Sequence, residues 1–244
     1  DGTLFVVAGA GAWEMARPFR GAGWPADTVP AACGAALVAG VGLFAPGSVT
    51  HRMELRVLLV AAGLLVPLLL RLKDVRREAA AEVALTFLPV VFVGLFLGLS
   101  REVGPGTQLA RWLAWVVLVS KASDIGGWLA GKPFGRHKLI PSVSPGKSWE
   151  GLAGGLLLSV AAALWVPALL DLPSAGWAPG RRVAFGLVLG GASVLAGILH
   201  SGWKRRLGAK DSGSLIPEIG GVLDLVDSLL LAGPAAWLWF RLGL

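Results

Sequence analysis

The chain holds 244 residues, 55% of them hydrophobic and only 15% charged, with a mean hydropathy of +0.71. A soluble domain carries about 25% charged residues, and a soluble chain this apolar would leave large adhesive patches in water. The net charge of +7 points to anionic headgroups or a phosphorylated substrate before nucleic acid. Cys33 is the one cysteine, and His51, His137 and His200 are far apart in sequence. A disulfide framework, a cysteine-rich metal site and a compact histidine motif are therefore excluded.

Apolar stretches recur along nearly the whole chain and are too long for barrel strands, which alternate over segments of about 10 residues. The fold class expected is all-α: a polytopic transmembrane helix bundle of about eight spans, near 3–17, 30–47, 53–72, 80–99, 108–130, 151–170, 182–200 and 219–243. The first is short and follows no basic segment, so it reads as a trimmed span and not a signal peptide. Short connections predict one integral-membrane domain over 1–244, with active-site loops near 131–150 and 201–221.

Charge sets the expected topology. Arg17 and Arg20, then Arg71, Lys73, Arg76 and Arg77, then Lys132, Arg136, Lys138 and Lys147, then Lys204, Arg205, Arg206 and Lys210 fall on alternate connections. That heavier side is expected to be cytoplasmic by the positive-inside rule. Trp24, Trp112, Trp177, Trp203 and Trp239 lie near span ends and are expected to form an interfacial aromatic belt, while Trp149 and Trp203 sit where a base could stack. Glu14 and Glu82, at span edges, are expected to be structural or interfacial.

Chemistry concentrates in the last half. Loops 131–150 and 201–221 mix basic side chains with glycine turns, the groups a polyphosphate needs. Asp224 and Asp227, at i and i+3, are expected on one helical face. Two neighbouring carboxylates repel, and a shared cation relieves the repulsion; Mg²⁺ takes such oxygen ligands together with substrate phosphates. The competing reading pairs both with nearby Lys or Arg. Asp124, three residues after Lys121, either forms a structural ion pair with it or faces the same polar cavity. Glu150 either complements a helix N-terminus or lines the site.

These residues carry a resemblance. Ser201, Lys204, Arg205, Lys210, Asp211, Gly213, Pro217, Gly220, Gly221, Asp224 and Asp227 fall in register, without a gap, with the signature of phosphatidate cytidylyltransferases (CDP-diacylglycerol synthases). Asp124, Gly131, Gly135, His137-Lys138-Leu139 and the run Ser144-Pro145-x-Lys147-Ser148-Trp149-Glu150-Gly151 resemble the same family's second familiar stretch. The chain departs from the pattern at Ile219, where the family has His, and at Leu225, where it has Arg. An acidic Gly-Asp-x-x-Glu-Ser stretch just upstream reads Ala196-Gly197-Ile198-Leu199-His200-Ser201 here.

The resemblance implies transfer of CMP from CTP to phosphatidate, giving CDP-diacylglycerol and pyrophosphate. It implies catalytic roles for Asp224, Asp227, Lys204, Arg205 and Lys210, and substrate binding by Ser144, Lys147, Ser148, Ser201, Gly220 and Gly221. Asp224, Asp227, Asp211 and Asp124 are the implied ligands of Mg²⁺, with room for a second cation. The expected partners are CTP, phosphatidate and bilayer lipid, with no nucleic acid; a homodimer is the expected oligomer if there is one. The expected location is the cytoplasmic membrane, with the loops facing the cytoplasm. Two alternatives remain open: a related isoprenoid-lipid cytidylyltransferase or kinase, and a non-catalytic lipid-binding homologue. A transporter would rest on intramembrane charge alone, and these carboxylates cluster near one face and not at the midplane.

Overall fold

Small residues at every fourth position shape the first described helices. In the computed structural model, residues 2–21, 28–44, 52, 54–56, 58–60, 109–206, 224 and 226–244 are described. Helix α1 (Gly2–Gly21) packs on α2 (Thr28–Phe44). Ala8, Ala12 and Ala16 of α1 and Ala31, Ala35 and Ala39 of α2 are all buried, which is how small residues let helix backbones approach in lipid. Glu14 is fully buried in α1, and Arg56 is buried with its Nε donating to the Val38 carbonyl at 3.3 Å. These elements belong to one compact unit, Asp1–Leu99 with Arg206–Val226; Ser100–Arg205 and Asp227–Leu244 form the other.

The second unit holds α3 (Leu109–Phe134), a hairpin of β1 (Lys138–Ile140) and β2 (Ser144–Ser148), α4 (Trp149–Leu169), a 3₁₀ turn (Pro173–Gly176), α5 (Pro179–Arg206) and α6 (Leu229–Leu242). Among the described residues, three helices are long and apolar enough to cross a membrane: Ala110–Phe134, Trp149–Leu169 and Pro179–Gly202. They correspond to the spans expected near 108–130, 151–170 and 182–200. Most of 53–72 and all of 80–99 lie outside the described residues.

Helix α3 runs antiparallel to α4 along a seam of small residues. A Cβ at Gly126 would collide with the Gly154 carbonyl oxygen and stand 2.8 Å from the Leu158 Cβ; one at Gly155 would stand 2.7 Å from the Ser123 oxygen. Hydroxyls tie the neighbouring helix in. Ser123 Oγ donates to the Gly190 carbonyl at 3.2 Å, and Ser159 Oγ reaches the Gly186 carbonyl at 3.1 Å and the Leu156 carbonyl at 2.9 Å. Such bonds add roughly 0.6 kcal/mol each in a membrane, so close packing contributes more. We expect Gly126→Val to destabilise the protein by about 1–3 kcal/mol through overpacking. A thermal unfolding scan in detergent checks this against Leu157→Ala, at a position 73% exposed that should leave the transition unchanged.

Two expectations change. The belt expected of the tryptophans is instead a packed cluster where Trp112, Trp177 and Trp239 are concerned. Trp112 and Trp239 are buried, Trp115 stacks on Phe185 at 4.3 Å, and the Trp112 ring meets Phe240 edge-on at 4.9 Å. The starts of α3 and α5, the 3₁₀ turn and the end of α6 converge there, and large rings bury more apolar area against one another than a lipid-facing position allows. Trp24 and the Trp203 side chain lie outside the described residues. The helix expected over 219–243 is broken: Asp227 and Ser228 form a turn, and α6 begins at Leu229. It closes at Gly243, whose φ of +69° is the left-handed cap that glycine favours.

Candidate active site

Three local devices build the hairpin that the sequence reading treats as plain loop. Pro133 falls near the end of α3, which stops at Phe134. Ile140-Pro141-Ser142-Val143 is a turn with proline at its second position, the favoured place, closed by the Val143 N–H on the Ile140 carbonyl at 3.2 Å. The strands then pair antiparallel, Lys138 with Ser148 and Ile140 with Ser144. Glu150 latches the open end: its carboxylate accepts from the His137 backbone N–H at 3.2 Å and lies 2.7 Å from His137 Nδ1, while the Trp149 N–H donates to the His137 carbonyl at 2.9 Å. Glu150 is thus both a first-turn acid of α4 and the tie for the hairpin.

Lys147 is carried inward on β2. Its Nζ donates to the Val194 carbonyl of α5 at 3.1 Å, and a Cβ on Gly197 would stand only 2.6 Å from that nitrogen. With no side chain at Gly197, the ammonium sits close against α5 at that position. Burial pushes the Lys147 pKa below its ordinary value, and the negative charges of Asp124 and Asp227 oppose that shift. A cavity of about 190 Å³ lies alongside, lined by Asp124, Gly127, Trp128, Leu139, Lys147, Ser148 and Leu152 among others. Its lining combines the charged Asp124 and Lys147 with the apolar Trp128, Leu139 and Leu152.

Asp227 also acts on this ammonium through its negative charge. Its Oδ2 is 3.3 Å from Nδ1 of the buried His200, and its Oδ1 accepts from the Ser228 N–H at 2.6 Å. Asp124 keeps its expected pair, with Lys121 Nζ 3.3 Å from Oδ2. Both carboxylates retain acceptor capacity beyond these bonds. They are hard oxygen donors of the kind Mg²⁺ shares with substrate phosphates, so their chemistry fits that ion. Among the described residues no group of three or more His, Cys, Asp or Glu side chains gathers as a ready-made metal cage, and Mg²⁺ at phosphate sites does not require one.

The other expected site residues divide as follows. Ser144 is buried at the start of β2. Ser148 caps α4, its Oγ accepting from the Gly151 N–H at 3.1 Å, while also lining the cavity. Ser201 Oγ donates to the Gly197 carbonyl at 2.7 Å. Ser201, Lys204 and Arg205 sit on the last turns of α5 and not in a loop, because no proline interrupts residues 180–206 and basic residues suit a helix C-terminus. Asp224 is helical and half-buried but falls in the first unit. Lys210, Asp211, Gly220 and Gly221 lie outside the described residues. Sequence reasoning missed His200 and Gly197 as members of the site; their i, i+3 spacing, which puts both on one face of α5, was the available signal.

Helices long and apolar enough to cross a membrane, with a half-buried lysine and two carboxylates beside them, mark a helical membrane protein with a polar, phosphate-compatible site. The family model described as "Cytidylyltransferase family" matches residues 2–242, and the chain belongs to that family. It is similar to the phosphatidate cytidylyltransferases of Mycobacterium leprae (41% identity over 163 residues, 66% of this chain and 49% of the relative) and Mycobacterium bovis (32% over 158 residues, 65% and 50%). That of Haemophilus influenzae is 40% identical over 126 residues, 50% of this chain and 43% of the relative. The chain spans about half the length of the curated relatives it matches.

Proposed function

We propose that this protein is a phosphatidate cytidylyltransferase of the cytoplasmic membrane, built on about eight spans with its polar loops facing the cytoplasm. The observation that carries the reading is the half-buried Lys147 ammonium, near the negative charges of Asp124 and Asp227, on a cavity lined by charged and apolar side chains together. A substrate with a phosphate head and lipid tails presents both kinds of surface.

In the proposed reaction an ionised phosphatidate oxygen attacks the α-phosphorus of CTP. The new P–O bond forms as the bond from that phosphorus to the oxygen leading to the β-phosphate breaks, and pyrophosphate leaves. The nucleophile is already ionised at neutral pH, so no general base is needed, and the absence of a histidine at Ile219 does not disable the chemistry. Two polyanions must be brought together, so neutralisation and alignment dominate. Lys147 from the hairpin and Lys204 and Arg205 from α5 supply charge-assisted bonds to phosphate oxygens, joined by Lys210. Asp224 and Asp227, with Asp211 and Asp124, would hold Mg²⁺, which when bound supplies positive charge to the phosphate oxygens.

The test is pyrophosphate release by the purified full chain in detergent with CTP, Mg²⁺ and phosphatidate. We expect release that depends on phosphatidate and stops when the divalent cation is chelated. Release with a polyprenyl acceptor but not with phosphatidate would transfer the reading to an isoprenoid-lipid enzyme. Folded protein that binds CTP without turnover would make it a non-catalytic homologue.

A further inference from the structure

Asp227 sits in a turn and not within a helix, so its backbone alone does not aim its carboxylate. The Ser228 N–H holds Oδ1 from within the turn, at 2.6 Å. Oδ2 is met from α5 by Nδ1 of His200, whose side chain is 3% exposed against 24% for that of Asp227. A Cβ at Gly197, one turn before His200, would lie 4.0 Å from the same Oδ2 and 2.6 Å from Lys147 Nζ. One face of α5 therefore presents an imidazole to Asp227 and, through Gly197, leaves open the space that Lys147 fills.

We infer that His200 is a positioning residue: its buried Nδ1–H fixes the Asp227 carboxylate so that the remaining lone pairs of Oδ2 face Lys147, beside the place proposed for the substrate phosphates. The stretch that carries two acids in the resembling pattern here carries Gly197 and His200, so this chain orients its carboxylate by a hydrogen bond from a neutral or cationic ring, where a further acid would repel it. This deepens the cytidylyltransferase reading and rests on it for the identity of the phosphates. The contact between His200 and Asp227 does not depend on that reading.

Two variants separate positioning from packing. In His200→Asn the amide Nδ2 takes nearly the place of the ring Nδ1 and keeps the donor; His200→Leu keeps apolar bulk and loses it. For a partner that orients a functional group through a hydrogen bond, a loss of about 10–100-fold is expected. His200→Leu should show that loss in kcat, with KM for CTP little changed and a thermal transition near that of wild type, while His200→Asn should retain most of kcat. Equal activity in the two variants, whether both fall or both stay at the wild-type level, overturns the proposal. A second readout needs no turnover. In protein labelled with ¹⁵N-histidine, the His200 Nδ1 resonance should carry a bound proton and move in Asp227→Asn. A His200 Nδ1 that is unprotonated, or indifferent to that substitution, overturns the positioning role. If the wild type releases no pyrophosphate from CTP and phosphatidate, the functional reading fails, and the resonance alone decides the role of His200.

Discussion

Asp227→Asn should abolish nearly all turnover, lowering kcat by about 10²–10³-fold, or roughly 3–4 kcal/mol of transition-state stabilisation. The substitution keeps the size and most of the shape of the side chain. It removes the negative charge that faces Lys147 and replaces an oxygen toward His200 or Ser228 with an amide nitrogen. The Ser228 N–H needs an acceptor, as does the Nδ1–H inferred for His200, which lies 3.3 Å from Oδ2, and the amide offers an oxygen on one side only. A single-turnover measurement of pyrophosphate release, with thermal unfolding as the check on folding, reads this directly. Activity within a few-fold of wild type would remove Asp227 from the proposed mechanism and leave Asp224 and Asp211 to carry it.

Lys147→Met should cost about 10²-fold in kcat/KM, the scale seen when one preorganised donor to developing charge is removed. The long apolar side chain of methionine can follow the path of the lysine stem, so the hairpin is expected to persist. Lys147 also predicts a pH dependence. Its pKa is held below the ordinary lysine value by burial, against the pull of Asp124 and Asp227. In the proposed mechanism the charged form binds phosphate, and it is lost as pH rises, so kcat/KM should decline at a lower alkaline pH than an exposed lysine, with pKa about 10.4, would give. Lys147→Arg should keep its charge through that range and move the alkaline limb upward, even if its bulk lowers the plateau. A limb that does not move would assign the titration to another group.

Three of the expected spans are legible from composition and run length, because a span must be long and apolar whatever its neighbours are. The long helices of the second unit begin within three residues of their expected starts, and α5 runs six residues past its expected end, to Arg206. The Lys121–Asp124 pair was legible too, since i, i+3 spacing on a helix is local information. What escaped depends on contacts distant in sequence. A three-residue strand such as Lys138–Ile140 is too short for periodicity to announce. The tryptophans look alike in sequence whether they face lipid or one another. Asp224 and Asp227 read as neighbours on a helical face, yet a turn intervenes at Asp227. His200 reads as a missing acid until α5 brings it to within 3.3 Å of Asp227, a residue 27 positions away. For the site itself, the residue types were legible and their mutual geometry was not.

The latch between Glu150 and His137 has an entropic side. It closes the chain across 13 positions, and the cross-strand bonds divide that ring further. The conformational entropy given up to close a loop of this kind is lost when the chain folds. A lysine on an open loop of equal length would lose it each time a phosphate arrives. In the proposed reaction Lys147 would meet a phosphate with little freedom left to surrender, so more of its electrostatic attraction would remain available for aligning two anions that repel each other.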